Sequence, residues 1–553
     1  MSEYRSIDRR RFLSGAIATA AVTVAGPTLL AGCGSGTTAD NTGTRNQAVK
    51  LPTYTPFSGV QADLPGNPEG LLDAFSSYPA SPMKVTSGPP GKGGPVSAFV
   101  LTGSPVPPSL DQNPFWQELN RRLNVDLKLT ITPSADMATK FAALVAGDDL
   151  PDFIVPALFS PQGLGAGIGN LPAWLSAKCQ DLSEFLSGDA VKEWPFLANL
   201  PTAAWKMCVY NGGIFGLPVP RGVGGTLMFR RDDLFSQVGA NPNPASYTEF
   251  VEVCKQMLDA KGNRWVATAG GLMFFVQQML GVPNRWKLDG GKLTNSIETD
   301  EFRRALDTVS KLVKDGYAHP DSFIANPPVK RWFNAGNTVL NPDRYTAWPQ
   351  YFAENVAGPT FKISGMRPPK YDGGGFASTW QSDPTNNFTA LKKADKGRIR
   401  DLLAIANWLA APFGSEEFLF RRFGTAPLHY EMRNGGPAQT QAGVAQTVLG
   451  IRYIVDGPDV IFIPGNSEAT KASYEYQKSI IPTSLKDPTV GYFSDAWSRK
   501  RPVLDNLQNT AQNDILAGRK PLSSLDDTIR EWKSSGGDEC RQQFQEQIAQ
   551  NPS

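Results

Sequence analysis

Val96-Ser-Ala-Phe-Val-Leu101, Val125-Asp-Leu-Lys-Leu-Thr-Ile131 and Asp152-Phe-Ile-Val-Pro156 are three strand-type segments with a helical segment between each pair, and that order decides the fold. The first is a short apolar run of strand type. In the second, Val125, Leu127, Leu129 and Ile131 alternate with polar residues, as in a half-exposed strand. Asn113-Pro114 supplies a cap and a first-turn proline to a helix whose one face carries Phe115, Leu119 and Leu123. The second helix carries Met137, Phe141, Leu144 and Val145 and stops near Gly147. Strand, helix, strand, helix, strand gives an α/β lobe with a parallel sheet.

Helical segments recur downstream. Ser246-x-x-Glu249 has the form of a capping box ahead of Phe250, Val253, Cys254, Met257 and Leu258 on one face. Thr299 caps a helix bearing Phe302, Leu306, Val309 and Val313, which Gly316 ends. A further helix carries Ile399, Leu402, Leu403, Ala406 and Leu409. Upstream, residues 34–95 divide into a flexible tether rich in Gly, Thr, Ser and Asn, to about Val49, and a Pro/Gly-rich extended wrap with apolar patches at Leu71-Leu72 and Phe75.

The N-terminus reads as an export signal. Arg9-Arg10-Arg11-Phe12-Leu13 precedes an apolar stretch, Gly15 to Leu30, too short for an ordinary membrane span. Leu30-Ala31-Gly32-Cys33 resembles the lipobox of bacterial lipoproteins, which implies a signal peptide over residues 1–33 and a lipidated Cys33. Each acyl methylene on such a cysteine contributes on the order of 0.8 kcal/mol of membrane binding. The arginine pair resembles the twin-arginine type, although Asp8 stands where Ser or Thr is usual. The expected location is the outer face of a bacterial cell membrane, lipid-anchored.

Of the 54 Lys and Arg and 52 Asp and Glu residues, the leader holds Arg5, Arg9, Arg10, Arg11, Glu3 and Asp8, leaving 50 of each sign. No long basic run exists to track phosphates, which argues against nucleic acid. Only His319 and His429 are available as histidine ligands or bases, each isolated, and no Gly-x-Ser-x-Gly elbow occurs. No metal site, cofactor or catalytic residue is expected. Cys179, Cys208, Cys254 and Cys540 show no paired spacing; disulfide pairing among them is not readable, and Cys254 fits a small buried hydrophobe.

Several segments resemble, in order, the signatures of family 1 extracellular solute-binding proteins, the receptors of ATP-driven importers. They are Gly147-Asp-Asp-Leu-Pro-Asp-Phe-Ile154, Asn211-Gly-Gly-Ile-Phe-Gly-Leu-Pro-Val219, Phe229-Arg-Arg-Asp-Asp-Leu234 and Ser246-Tyr-Thr-Glu-Phe250. Gly290-Gly-Lys-Leu-Thr294, Gly316-Tyr-Ala-His-Pro320 and Phe333-Asn-Ala-Gly336 extend the likeness. Leu525-Asp-Asp-Thr-Ile-Arg-Glu-Trp532 with Gly536-Gly537 is similar to the oligosaccharide-associated lipoprotein branch. The resemblance implies a two-lobed periplasmic-binding-protein-like fold with hinge-crossing strands and an interlobe cleft that closes on solute. It further implies a monomer that partners ABC permease subunits. On that pattern residues 96–218 belong to lobe 1, 219–370 to lobe 2, 371–426 to lobe 1 again, and 427–553 to lobe 2 and C-terminal helices. The crossings fall near Pro218-Val-Pro220, Gly373 to Trp380, and Ala426.

A sugar ligand needs aromatic platforms for its C–H faces and forked donors for its hydroxyls. By position, Trp348 and Trp380 are the leading platforms, with Arg221, Arg344 and Tyr345 as polar partners. Ser104 and Phe159 follow the first and third strands, where strand ends open onto a cleft, and Tyr492 and Trp497 lie in a late aromatic segment. Asp152 suits a turn brace. The alternative to a receptor is a surface-anchored glycan hydrolase or lyase, which needs two facing carboxyl groups such as Asp343 and Asp383.

Overall fold

β1 (Pro95–Thr102), β2 (Asp126–Pro133) and β3 (Phe153–Leu158) pair as parallel neighbours in the order β2-β1-β3. A computed structural model of the chain describes residues 41–102, 105–133, 136–147, 149–158, 168, 170–354 and 358–550. The export signal with Cys33, and also Ser104 and Phe159, lie outside these residues. The helix Pro114–Leu123 forms as its sequence directs: the Asn113 side chain accepts from the Trp116 N–H, Phe115, Leu119 and Leu123 are buried, and Asn124 ends the helix at φ 51°.

Four later strands build a second sheet and one end of the first: β4 (Leu217–Pro220), β5 (Thr226–Arg231), β6 (Leu340–Arg344) and β7 (Ile363–Met366). β8 (Thr385–Leu391) then returns to the first sheet, lying antiparallel between β3 and β4 to give the order β2-β1-β3-β8-β4. β5 is the centre of an antiparallel three-stranded sheet, β6-β5-β7.

The two-residue strand period distributes side chains between cores. Val96, Ala98 and Val100 of β1 face one core with Leu402, Leu403 and Trp408, whereas Phe99 and Leu101 face another with Phe141, Leu175 and Phe388. Burial on both faces explains why β1 reads as an apolar run, and each buried Val, Leu or Phe in it contributes roughly 1.5–3 kcal/mol. β2 is the sheet edge, so its alternation is that of a half-exposed strand. In the second sheet Leu227 and Phe229 pack with Trp348 and Tyr351, while Met228 packs on the opposite face with the helices Tyr247–Met257, Ala269–Met279 and Asp300–Lys314.

These helices begin at the expected caps. Ser246 accepts from Glu249 N–H and Thr299 from Phe302 N–H, with Gly316 at φ 83° beyond the end of the latter. Glu249 itself accepts from Ala245 N–H, one residue before the cap. Cys179, Cys208, Cys254 and Cys540 are buried free thiols. No helix among the described residues is long and apolar enough to cross a membrane.

The structure differs from the sequence reading at three places. Residues 43–47, expected in a flexible tether, form a helical turn because Thr42 caps it and Asn41 and Asn46 accept from the Asn211 and Gly212 N–H groups at 2.8 and 2.9 Å. Gly373-Gly374-Gly375 is a tight turn beside Lys370 and Tyr371 within the second lobe; all three glycines have positive φ, and Tyr371 stacks on Tyr247 at 4.5 Å. The chain stays with the first lobe well past Ala426: Leu449, Ile451, Ile454 and Val455 lie in the core of β1, and Ile461 and Ile463 are the next residues in the core of β5. The last crossing is therefore the Asp456–Val460 segment.

The extended residues from 51 onward strap this frame. Thr53 N–H bonds Gly188 O in the first lobe, Phe75 N–H bonds Ile461 O, and the Tyr78 hydroxyl donates to Ser415 O at 2.6 Å. Phe75 and Phe413 stack with centroids 4.3 Å apart.

Candidate functional site

β1, β2, β3 and β4 run in one direction and β8 in the other, so the carboxyl ends of four strands and the amino end of β8 share one edge of the sheet. Ligand sites of α/β sheets lie outside this edge. All three connections between the lobes leave from it or pass beside it.

Residues 221–225 run from β4 to β5, and residues 381–384 return to β8. The two are zipped together: Arg221 N–H donates to Pro384 O at 2.9 Å, Ser382 N–H to Val223 O at 3.1 Å, and the Thr385 hydroxyl to Val219 O at 2.7 Å. The third connection lies alongside. Gly222 N–H donates to the Asp459 carboxylate at 3.1 Å, and the Tyr453 carbonyl accepts from Asn387 Nδ2 at 2.9 Å and the Thr389 hydroxyl at 3.1 Å. Glycine is required where the segments meet. A Cβ on Gly222 would lie 2.4 Å from the Tyr345 hydroxyl oxygen, and Gly225, at φ 70°, would place one 2.9 Å from the Trp380 carbonyl.

The side chains around these crossings are charged. Asp456, fully buried, meets Arg421 at 2.5 Å, Arg422 at 2.7 Å, and Arg221 and Arg452 at 3.9 Å. Burial favours its neutral form, but the surrounding guanidiniums outweigh burial and hold the carboxyl far below the usual range. Burial pulls Arg422 down to about 9 against the opposing pull of Asp456, and lowers Arg344, beside which Arg221 adds like charge. On the other flank Arg285 lies 3.5 Å from Asp383 and 3.2 Å from Asp487. Asp487 also accepts from the Thr489 N–H and hydroxyl; burial nevertheless raises its carboxyl.

Arg221, Arg344 and Tyr345 come together at the crossings, where Arg221 and Tyr345 are buried, while Trp380 has its carbonyl beside Gly225 and its ring in the second-lobe core. Arg344 is the last residue of β6, paired with Thr226 at the start of β5, and the Tyr345 hydroxyl lies 3.5 Å from Asp459. Trp380 is half-buried; its indole N–H donates to Val282 O at 2.8 Å and its ring meets Phe274 edge-on. One aromatic expected at the ligand lies elsewhere. Trp348, 1% exposed, is sealed against Phe229 with centroids 5.0 Å apart, because it opens the helix Trp348–Ala353 on the core side of β5. Trp497 packs with Trp286 and Phe544 under Arg501, and Tyr492 adjoins the same core.

The remaining polar candidates have structural partners. Asp152 accepts from Ser97 N–H at 2.8 Å and pairs with Arg398 at 2.9 Å, bracing β1 against β3. Asp343 and Asp383, the acids a hydrolase would pair, are each taken by a cation, Lys330 at 3.4 Å and Arg285 at 3.5 Å. His319 stacks on Trp332 at 3.8 Å, and His429 is buried between Thr425 N–H and Gln446. Among the described residues no three His, Cys, Asp or Glu side chains converge as a metal site.

Arg285, Arg421, Arg422, Arg452, Asp456, Asp459 and Asp487 were not singled out from the sequence. One signal was available: Asp456 and Asp459 interrupt the otherwise apolar Tyr453-Ile-Val-Asp-Gly-Pro-Asp-Val-Ile-Phe-Ile463. Acids inside such a run must be paired when buried.

Known proteins match this chain along most of its length. Lipoprotein LipO of Bacillus subtilis is 23% identical over 485 residues, covering 79% of this chain and 88% of that protein. The polygalacturonan/rhamnogalacturonan-binding protein YtcQ of Bacillus subtilis is 20% identical over 456 residues, covering 78% and 88%. Among solved structures, an HMO binding ABC-transporter associated solute binding protein from Bifidobacterium longum infantis superposes with a TM-score of 0.59 at 14% identity, over 84% of this chain and 99% of that one. Such neighbours are two-lobed, periplasmic-binding-protein-like proteins, and the α/β architecture here is of that kind. The family model for bacterial extracellular solute-binding proteins matches residues 116–396, and the chain belongs to that family.

Proposed function

We propose that this protein captures an oligosaccharide between its two lobes and delivers it, chemically unchanged, to the permease of an ABC importer. One observation supports the reading: three interlobe connections lie side by side at the carboxyl edge of the first sheet, with Arg221, Arg344 and Tyr345 among them and the half-buried Trp380 next along the chain. Forked donors and an indole are the groups that sugar hydroxyls and C–H faces require. The names of LipO, YtcQ and the Bifidobacterium protein, a lipoprotein, a polysaccharide binder and a transporter-associated binder, support it. Ser104 and Phe159, following β1 and β3 in sequence, belong to the same proposal.

A receptor works by differential affinity: solute must favour the closed over the open arrangement of the lobes. Incubation with a glycan panel tests this. The expected result is saturable binding with the glycan recovered intact by mass spectrometry; turnover that persists through repurification would assign an enzyme instead.

Lipid anchoring at Cys33 places this capture at the outer membrane face. Cys33→Ser is expected to move the protein from the membrane fraction to the medium, read by fractionation and by loss of the acyl mass from the N-terminal peptide.

A further inference from the structure

Gln477, in the helix Ser467–Ile480, is 1% exposed. It carries the only side-chain amide among the described residues whose nitrogen and oxygen are both buried without a hydrogen-bond partner. Such an amide can donate two hydrogen bonds and accept two. Leaving both ends unmade away from water costs the desolvation of each group, so Gln477 destabilises the arrangement of the lobes in which it stands alone.

What it faces is the first crossing between the lobes. A Cβ on Gly224 would meet Gln477 Cδ and Cγ at 3.5 Å and Tyr345 Cδ1 at 3.6 Å. Gly224 is buried as well, and neither its N–H nor its carbonyl makes a hydrogen bond to any described residue. Its neighbours are tied. Arg221 N–H donates to Pro384 O and Gly222 N–H to Asp459, while the carbonyls of Val223 and Gly225 accept from Ser382 N–H and Tyr345 N–H. The strap packs on the same segment, Leu72 against Gly222 and Gly70 against Val223. A free backbone donor and acceptor thus stand beside a free amide of complementary polarity, at a point where the chain passes between the lobes. Gly224 and Gly225 have no Cβ to resist the backbone rotation that would join the two.

We propose that Gln477 is a positioning residue for capture: its amide takes the Gly224 N–H and carbonyl when the lobes close on solute, a pairing gained only in the liganded arrangement. The inference rests on the reading of the protein as a saccharide receptor and adds to it a residue that holds the hinge and not the solute. A bond made only in the bound arrangement favours the binding-competent state and so raises affinity.

Titration calorimetry with maltotetraose, xylotetraose, trigalacturonate and lacto-N-tetraose, on the parent, Gln477→Met, Gly224→Ala and the double variant, tests it. The tightest-binding glycan is expected to bind about tenfold more weakly to each single variant, and no more weakly to the double variant than to either single one. Stability without ligand moves the other way at Gln477. Methionine keeps the volume and removes two orphaned polar atoms, so the denaturant midpoint of Gln477→Met is expected at or above that of the parent. Gly224→Ala, whose methyl group would meet its neighbours at ordinary contact distances, carries the affinity test independently. A Gln477→Met midpoint well below the parent's would mean that the amide is needed in the unliganded fold, and overturns the inference. Unchanged affinity, or losses that add in the double variant, overturns the pairing and leaves the saccharide reading standing. No glycan bound by the parent overturns the saccharide reading, and the assignment of Gln477 falls with it.

Discussion

Two buried aspartates near the crossings have opposite environments, and the contrast fixes what each does. Asp456 faces Arg221, Arg421, Arg422 and Arg452 and is held ionised, whereas Asp487 is pushed towards its neutral form by burial and accepts from Thr489. Asp456→Asn leaves several guanidiniums without their counter-charge and is expected to cost on the order of 3–5 kcal/mol, measured by chemical denaturation. Asp487→Asn keeps an acceptor for Thr489 but takes one of two counter-charges from Arg285, which retains Asp383, and is expected to cost about 1–3 kcal/mol, less than Asp456→Asn. The pH dependence has the matching sign. A carboxyl whose folded pKa is depressed contributes stability fully above its unfolded value, near 4, and loses it as pH falls towards the folded pKa. Denaturation midpoints of the parent should therefore decline below about pH 4 more steeply than those of Asp456→Asn.

The elements most directly written in the sequence are those governed by local rules. Asn113, Ser246 and Thr299 cap helices because a short side-chain oxygen there meets an orphan N–H, and β1 and β2 differ because one is central and the other at the edge. The crossings are governed by tertiary contacts. Leu449, Ile451, Ile454 and Val455 are apolar residues that either core could have taken, and Gly373-Gly-Gly375 suits a turn as well as a hinge. The charged floor was the least legible, since Arg221, Arg285, Arg344 and Asp456 are scattered over more than 200 positions and meet only through the sheet order. Gly225 and Gly239 show what a crossing adds. Both have φ near 70°, but an added Cβ meets the Trp380 carbonyl at Gly225 and open space at Gly239. Gly239→Ala should lose only the left-handed backbone cost, about 1–2 kcal/mol. Gly225→Ala should lose more and also weaken glycan binding, because its crowded neighbour belongs to the returning strand; equal effects of the two substitutions on stability and affinity would remove the crossing from this account.

At the scale of the molecule, the lobes are coupled by three adjacent connections and by the extended strap that bonds Gly188 on one side and Ile461 on the other. Ligand held across that junction binds the folded chain and not the unfolded one, so occupancy must appear as stability. For one site the increment is RT ln(1 + [L]/Kd), about 2.7 kcal/mol when free ligand is a hundred times Kd. Denaturation of the protein with a bound oligosaccharide should therefore shift by that amount and scale with the logarithm of ligand concentration. A receptor and a hydrolase diverge in time. If the ligand is returned intact, the increment persists through hours of incubation, because the free concentration never falls. If it is cleaved to fragments that bind weakly, the increment decays at the rate of turnover. Small-angle scattering on the same samples supplies the mechanical half: the radius of gyration should fall on saturation as the lobes close and recover on dialysis, whereas a constant radius with a full stability increment would mean that ligand is held without interlobe movement.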